Sequence, residues 1–115
     1  MFKISVIIDF SSAHQLRNYE GKCENIHGHN WKVEALVTGS KLNEAGMLID
    51  FKCLKDMVNQ LDHEDINLVM HPLNPTAENI SRYLAEKIQG ILPEETFVSK
   101  VTVQESEGNV ACYIP

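Results

Sequence analysis

The sequence predicts an α+β domain in which one antiparallel sheet carries two helices on a single face. Three observations support this prediction: strand-like patterns near both ends of the chain, two amphipathic helical stretches between them, and a turn signal that closes the last two strands into a hairpin. The chain has 115 residues, which fits a single domain spanning residues 1–115.

The first two strands are predicted from side-chain type and alternation. Residues 2–10 are rich in β-branched and aromatic residues, which favours a strand. Residues 30–39 alternate between apolar and polar side chains, as a half-buried strand does. The apolar side of that strand carries Trp31, Val33, Ala35 and Val37. The polar stretch between the two strands, residues 11–29, is predicted to be a long functional loop.

Two helices are predicted, each with a polar N-cap. Asp50 is expected to cap a helix over residues 51–61, and Thr76 a second one over residues 77–90. Apolar residues at helical spacing form the inward stripe of each helix. These stripes are Phe51, Leu54, Val58 and Leu61 in the first helix, and Ile80, Tyr83, Leu84 and Ile88 in the second.

The chain closes with a second predicted hairpin. Strands are expected over residues 97–105 and 110–114, with a turn at residues 107–109. The apolar side of the first of these strands is predicted to carry Phe97, Ser99, Val101, Val103 and Glu105. The ββααββ order leaves the sheet with two long edges. Because exposed edges are usually covered or paired, we expect edge pairing between subunits into a closed ring.

Composition narrows the function classes. Acidic residues outnumber basic ones by 16 to 10, which argues against non-specific nucleic-acid binding. Three cysteines without a CxxC pair make a disulfide framework unexpected and suit a reducing compartment. The apolar run at the N-terminus is too short for a signal peptide or a membrane span, so a cytoplasmic location is expected.

Three histidines predict a metal site. His27 and His29 flank Gly28, so in an extended segment both imidazoles lie on one side. His14 follows the first strand, and a hairpin would bring it beside that pair. Three neutral imidazoles with one vacant position are the pattern of catalytic zinc. The alternative is that these are ordinary loop or surface histidines.

Cys23 lies four residues before His27 and has two possible roles at such a site. It could close the metal site as a fourth ligand, or it could serve as a thiolate base or nucleophile, because a nearby cation lowers the pKa of a thiol. Cys53 and Cys112 are expected to be small buried hydrophobes.

Two further polar groups are candidates for chemistry. Asp62 and His63 follow the first predicted helix, and a carboxylate beside an imidazole suits proton transfer; a solvated helix end is the alternative. His71 has no such neighbour and is taken as a loop residue. Glu105 falls on the valine side of its strand and needs a partner there. A ligand edge with two parallel N–H donors would satisfy it, whereas the alternative is a strand-end charge that reaches solvent.

Six segments in order resemble the 6-pyruvoyl-tetrahydropterin synthase family, which includes the 6-carboxytetrahydropterin synthases. The resemblance covers nearly the whole chain, although each segment alone is weak evidence. The segments are residues 10–14 (FSSAH), 23–30 (CENIHGHN), 47–51 (MLIDF), 61–67 (LDHEDIN), 75–79 (PTAEN) and 103–105 (VQE).

The resemblance implies the tunnelling fold, in which trimers close a twelve-stranded barrel and two trimers stack into a hexamer with active sites between subunits. It also implies that zinc is bound by the three histidines and that a pterin is bound by Glu105, with help from Thr76 and Glu78. The implied catalytic groups are Cys23 as the base and the Asp62–His63 dyad.

The implied reaction converts 7,8-dihydroneopterin triphosphate to 6-carboxytetrahydropterin, on the queuosine or 7-deazaguanine route, or to 6-pyruvoyl-tetrahydropterin. Glu24 marks a departure, because a glutamate three residues before the HGH segment resembles the base of a folate-route subgroup that makes 6-hydroxymethyl-7,8-dihydropterin. Glu24 could otherwise be a solvated loop charge. A third hypothesis is a pterin- or purine-binding module without turnover.

Overall fold

A computed structural model describes residues 1–17 and 25–115 of the chain. The elements follow one another as two strands, three helices and two strands. The strands are β1 (Phe2–His14), β2 (His27–Gly39), β3 (Thr96–Ser106) and β4 (Asn109–Tyr113). The helices are α1 (Phe51–Asn59), α2 (Ile66–Met70) and α3 (Ala77–Gln89).

The four strands form one antiparallel sheet in the order β1-β2-β3-β4. Its inner face buries alternate residues of β1 and β2, including the four predicted for β2, and the helices pack against that face. The α+β prediction is therefore confirmed. No helix in the described part of the chain has both the length and the apolarity that a membrane span requires.

The predicted caps are present at both long helices. The Asp50 carboxylate accepts the Lys52 N–H at 2.9 Å, and the Thr76 hydroxyl accepts the Asn79 N–H at 3.1 Å. The inward residues of α3 are buried as predicted, apart from the half-buried Tyr83. In α1 the predicted stripe is wrong at its first position, because Phe51 is 51% exposed at the helix N-terminus.

The predicted loop over residues 11–29 is too long. β1 continues to His14 and β2 begins at His27, so both strands extend into the polar region. Cross-strand pairing carries this extension, since His14 lies opposite His27 and Ser12 lies opposite His29. Side-chain alternation did not reveal it because the extended part of each strand is polar.

A bulge in β3 changes the face on which its side chains lie. Lys100 pairs with Leu36 but Val98 pairs with Val37, so Ser99 is an extra residue. Consequently Val98 is buried and Phe97 is 59% exposed, contrary to the predicted apolar side. Beyond the bulge, Val101 and Val103 are buried as predicted. The prediction that Cys53 and Cys112 are buried is also wrong, since both thiols are exposed.

The outer edge of β1 is covered from within the chain near its C-terminal end, at residues 11–13. Residues 61–67 run beside the end of β1, where the Ala13 N–H donates to the Glu64 carbonyl at 3.3 Å and Ala13 forms a parallel bridge with Asp65. The Ser12 hydroxyl donates to the Leu61 carbonyl. This contact places the predicted acid–base segment against the strand that carries His14.

Candidate functional site

The three predicted metal-binding histidines meet at one end of the β1–β2 hairpin. His27 and His29 share a face of β2 with the buried Trp31, and His14 lies directly opposite His27. Because side chains alternate along a strand, all three imidazoles continue the inner, apolar face of the sheet. His14 is fully buried and His27 and His29 are half-buried, so the cluster lies where the core meets the surface.

The imidazoles and one carboxylate converge on a small volume. The His14 and His27 Nε2 atoms are 3.0 Å apart. Glu105 Oε1 lies 3.0 Å from His29 Nε2 and 3.7 Å from His14 Nε2. One ligand atom from each of these four residues lies within 4.8 Å of all the others, and such a group could hold a metal ion.

Backbone carbonyls orient two of the imidazoles. His14 Nδ1 lies 2.9 Å from the Pro75 carbonyl, and His27 Nδ1 lies 2.9 Å from the Asn25 carbonyl. A carbonyl only accepts hydrogen bonds, so each Nδ1 carries the proton and each Nε2 presents a lone pair to the centre. Two lone pairs at 3.0 Å repel unless a cation or an added proton lies with them.

The donor set fits zinc. Zn–N bonds of about 2.0–2.1 Å in a tetrahedron place ligand atoms roughly 3.3 Å apart. The observed separations of 3.0 and 3.7 Å bracket this value. Imidazole and carboxylate are ordinary zinc ligands. Three histidines with one carboxylate close by would leave a fourth position that either Glu105 or a substrate oxygen can take.

Trp31 forms the floor of the cluster, a role that its apolar alternation did not predict. Its ring lies edge-on to His14 and His29, with centroid separations of 4.9 and 5.4 Å. Its Nε1–H donates to the Ser12 carbonyl at 3.2 Å. The available signal was its two-residue spacing from His29, which places both side chains on one face.

Asp62 and His63 are adjacent to the cluster but do not form a short hydrogen bond with each other. Asp62 Oδ2 lies 3.6 Å from His63 Nε2, and Asp62 Oδ1 accepts the Ser11 N–H at 3.0 Å. His63 has a left-handed backbone with φ of 59°, a conformation that costs about 1–3 kcal/mol in a residue other than glycine. The Ser11 carbonyl holds it by accepting the His63 N–H at 2.6 Å.

Two clefts reach the cluster from different sides. One of about 450 Å³ is lined by both His29 and His63. The other, of about 480 Å³, is lined by both Glu78 and Glu105. Since His29 and Glu105 are in contact, the candidate metal centre lies where the two clefts approach each other. Thr76 lies at the start of α3, where its hydroxyl caps the helix.

Glu105 forms an ion-pair contact within the chain, with His29. Its carboxylate is 28% exposed and contacts His29, so it is neither unpaired nor fully solvated. Cys23 and Glu24, the two candidate bases, lie outside the described residues. The carbonyls of Asn25 and Pro75 were not predicted as orienting groups, because backbone atoms leave no signature in side-chain type.

Three comparisons place these features among known proteins. The family model for 6-pyruvoyl tetrahydropterin synthase matches residues 3–115. The 6-carboxy-5,6,7,8-tetrahydropterin synthase of Rickettsia typhi is 27% identical, and the alignment covers 99% of each chain. The dihydroneopterin monophosphate aldolase of Pyrococcus furiosus is 33% identical, with 84% of this chain and 82% of the relative aligned.

The fold comparison agrees. The structure of Caenorhabditis elegans 6-pyruvoyl tetrahydropterin synthase superposes with a TM-score of 0.78 at 25% sequence identity, covering 99% of this chain and 95% of the other. The match therefore extends over the sheet, the helices and the strand ends that carry the histidines.

Proposed function

The chain belongs to the 6-pyruvoyl tetrahydropterin synthase family, and on that premise we propose that it is a zinc-dependent pterin lyase. Its proposed substrate is 7,8-dihydroneopterin triphosphate, and its product is 6-carboxy-5,6,7,8-tetrahydropterin or 6-pyruvoyl-tetrahydropterin. Both products require loss of triphosphate, and the carboxy product also requires one water, with the two outer side-chain carbons leaving as acetaldehyde. The Rickettsia typhi relative, aligned over its whole length, favours the carboxy product. The observation that carries the proposal is the convergence of His14, His27 and His29 on one point.

Zinc would be held by the Nε2 atoms of these three histidines. When bound there, it would supply Lewis-acid polarisation of the hydroxyls on the pterin side chain. The two carbonyl-bound Nδ1 atoms support this assignment, because they keep His14 and His27 in the tautomer that a metal requires. The chain's own contribution is thus a rigid, preoriented ligand set at the end of the core.

Proton transfer is assigned to His63, with Asp62 beside it. His63 is 83% exposed and lines the same cleft as His29, so its imidazole can reach a substrate that occupies that cleft. The Ser11 N–H donates to the Asp62 carboxylate and so fixes it beside the His63 imidazole. Cys23 is proposed as the second proton-transfer group.

The pterin ring is assigned to the other cleft. Glu105 and Glu78 line it, and a carboxylate pairs well with the two parallel N–H donors of the pterin amidine edge. In this arrangement Glu105 exchanges its contact with His29 for the ring when substrate enters. Thr76, at the start of the same helix as Glu78, is proposed to help seat the ring.

Strand edges support a shared active site. β1 and β4 are the outer strands of the sheet, and an edge strand can pair with a neighbouring subunit. We therefore propose that neighbouring subunits contribute to the site in a hexamer built as a dimer of trimers. Light scattering on the purified protein should give a mass close to six chains of 13.0 kDa. A monomeric mass for the active protein would contradict this assembly.

A second candidate reaction is cleavage of the side chain to 6-hydroxymethyl-7,8-dihydropterin. The Pyrococcus furiosus aldolase, 33% identical to this chain, favours it, as does the presence of Glu24 beside Cys23. A carboxylate and a thiolate differ in basicity and reach. The base that faces the substrate would therefore decide which bond breaks.

One experiment separates the reactions. The zinc-loaded protein is incubated with 7,8-dihydroneopterin triphosphate, and the products are identified by mass. The proposal predicts carboxy- or pyruvoyl-tetrahydropterin with one triphosphate per turnover, whereas hydroxymethyl-dihydropterin alone would establish the alternative. Parallel Cys23→Ala and Glu24→Gln variants identify the base for each product.

The same variants test whether the protein is a binding module without turnover. Such a module would turn over no substrate and would be indifferent to Cys23→Ala. The proposal predicts that this variant loses activity while its bound zinc, measured by atomic absorption, stays at the wild-type level. Loss of zinc in the variant would instead make Cys23 a ligand.

A further inference from the structure

Two asparagine side chains grip the backbone that follows His14, and we propose that Asn67 and Asn74 are positioning residues for the metal centre. The inference rests on the proposed role of His14 as a metal ligand. It assigns to these residues the task of keeping the His14 imidazole in the one orientation that the other ligands require.

Each asparagine pairs with both backbone groups of one residue. Asn67 Oδ1 accepts the Gln15 N–H at 2.6 Å, while its Nδ2 donates to the Gln15 carbonyl at 2.8 Å. Asn74 treats Arg17 in the same way, with distances of 2.8 and 2.9 Å. A side-chain amide has the acceptor and donors needed to match a peptide edge in this manner. The two asparagines thus fix alternate residues of the segment that follows β1.

The backbones of Asn67 and Asn74 are themselves fixed by hydrogen bonds. The Asn67 N–H donates to the Asp65 carboxylate at 3.0 Å, at the N-terminus of α2. The Asn74 carbonyl accepts the Thr76 N–H at 2.9 Å and Asn79 Nδ2 at 2.9 Å, at the start of α3. Both side-chain amides therefore extend from backbone that is fixed at the start of a helix. Their hydrogen bonds to Gln15 and Arg17 thus fix the segment after β1 relative to α2 and α3.

The path to the metal centre is short. Pro75, the residue after Asn74, is buried, and its carbonyl accepts the His14 Nδ1–H at 2.9 Å. The pair Asn74–Pro75 therefore contacts both ends of the stretch from His14 to Arg17, and Asn67 holds its middle. The two amides add to the cross-strand pairing of His14 with His27 and to the Pro75 contact, which together set the direction of His14 Nε2. Loss of such supporting contacts commonly lowers metal affinity by about 10–100-fold.

The test uses Asn67→Ala and Asn74→Ala, with Asn43→Ala as the matched control. Asn43 also makes two side-chain hydrogen bonds to backbone, accepting from the N–H groups of Ala45 and Met47 at 2.9 and 3.0 Å. It follows the opposite end of β2 from the histidines. Zinc affinity is measured by competition with a chelator, and the ligand field is measured from the visible absorption of the Co²⁺-loaded protein.

We expect a loss of zinc affinity of about 10–100-fold and a changed Co²⁺ spectrum in both Asn67→Ala and Asn74→Ala, with wild-type values for Asn43→Ala. If Asn67→Ala and Asn74→Ala bind zinc as the control does, the inference is overturned and the proposed function is left intact. Wild-type protein that binds no zinc would overturn both. If the alanine variants do not fold, Asn67→Ser and Asn74→Ser are measured instead, and unfolding of these as well would overturn the positioning role in favour of a purely structural one.

Discussion

The middle of the β1–β2 hairpin and the end that carries the histidines share one register, but different interactions hold their side chains in place. In the middle of the hairpin, the side chains of residues 6–10 that face the helices are apolar and buried. Their partners on β2 are apolar and buried as well. Toward the end where the chain passes from β1 to β2, residues 11–14 face residues 27–30, and the inward side chains are a serine and the three histidines. The hairpin therefore changes from a core to a site without changing its geometry.

The difference shows how the fold supports a polar cluster at the end of its core. The apolar half is stabilised by burial, which needs only side chains of suitable size. The polar half is held by specific hydrogen bonds from residues 61–75, including those to Ser11, Ala13 and His14. Directional contacts of this kind orient groups better than they stabilise them. Substitutions in the two halves should therefore have separable effects.

The largest expected effect comes from removing proposed ligands at the polar end of the β1–β2 hairpin. The double variant His27→Ala with His29→Ala should lose zinc and about three orders of magnitude of activity, because Lewis-acid catalysis contributes several kcal/mol. The sheet should survive, as judged by circular dichroism. His71→Ala, which changes an exposed histidine at the end of α2, is the control and should retain both zinc and activity. Retention of zinc by the double variant would remove these histidines from the metal site.

The next effect concerns stability in the apolar half. Ile8→Ala should lower the free energy of unfolding by about 2–5 kcal/mol, because Ile8 is 8% exposed and pairs with Val33 in the core. Chemical denaturation measures the loss, and zinc affinity of the folded fraction should not change. Ile7→Ala is the matched control on the outer face, where Ile7 is 57% exposed and a much smaller loss is expected. Equal losses at both positions would contradict the one-sided core.

A smaller effect separates the two possible partners of Glu105. Glu105→Gln should weaken binding of a reduced pterin by about 10–100-fold, since charge-assisted hydrogen bonds are worth about 1.5–3 kcal/mol. Zinc affinity should change little, and both affinities can be measured by titration calorimetry. Glu107→Gln, in the exposed hairpin turn, should alter neither. A fall in zinc affinity with unchanged pterin binding would assign Glu105 to the metal.

The smallest effect compares two helix caps. Thr76→Ala and Asp50→Ala should each lower the free energy of unfolding by about 1 kcal/mol, because each removes one N-cap hydrogen bond. Only Thr76→Ala should also raise KM for the pterin substrate, since α3 begins beside the proposed ring site. Thermal melts and steady-state kinetics measure the two effects. Equal KM values in the two variants would leave Thr76 as a cap alone.

Much of the architecture could be predicted because local rules agree with tertiary demands. The alternation around Val33 and Ala35 predicted the inner face of β2, and Asp50 and Thr76 predicted both helix starts. The HGH segment and His14 predicted a cluster, and the structure brings those three side chains together. In each case the type of the side chain and its spacing along the chain predict the face on which it lies or the group that it binds.

Other features escaped prediction because their causes lie elsewhere in the chain. The bulge at Ser99 depends on how β3 pairs with β2, and alternation along β3 alone carries no sign of it. The strand extension through His14 depends on pairing with residues 27–30 across the hairpin and on contacts with residues 61–75. Asn67 and Asn74 are ordinary loop-type residues in the sequence, and only the folded chain brings their amides to the backbone of Gln15 and Arg17.

The sequence by itself determined the class of fold, the inner face of β2, the starts of α1 and α3, and the three histidines of the candidate metal site. These follow from period, capping and donor chemistry, which are local properties. The tertiary structure alone decided which nitrogen of His14 and of His27 faces the centre and that Glu105 lies against His29. Such details depend on groups distant in the chain, including the carbonyl of Pro75, whose position exists only after folding.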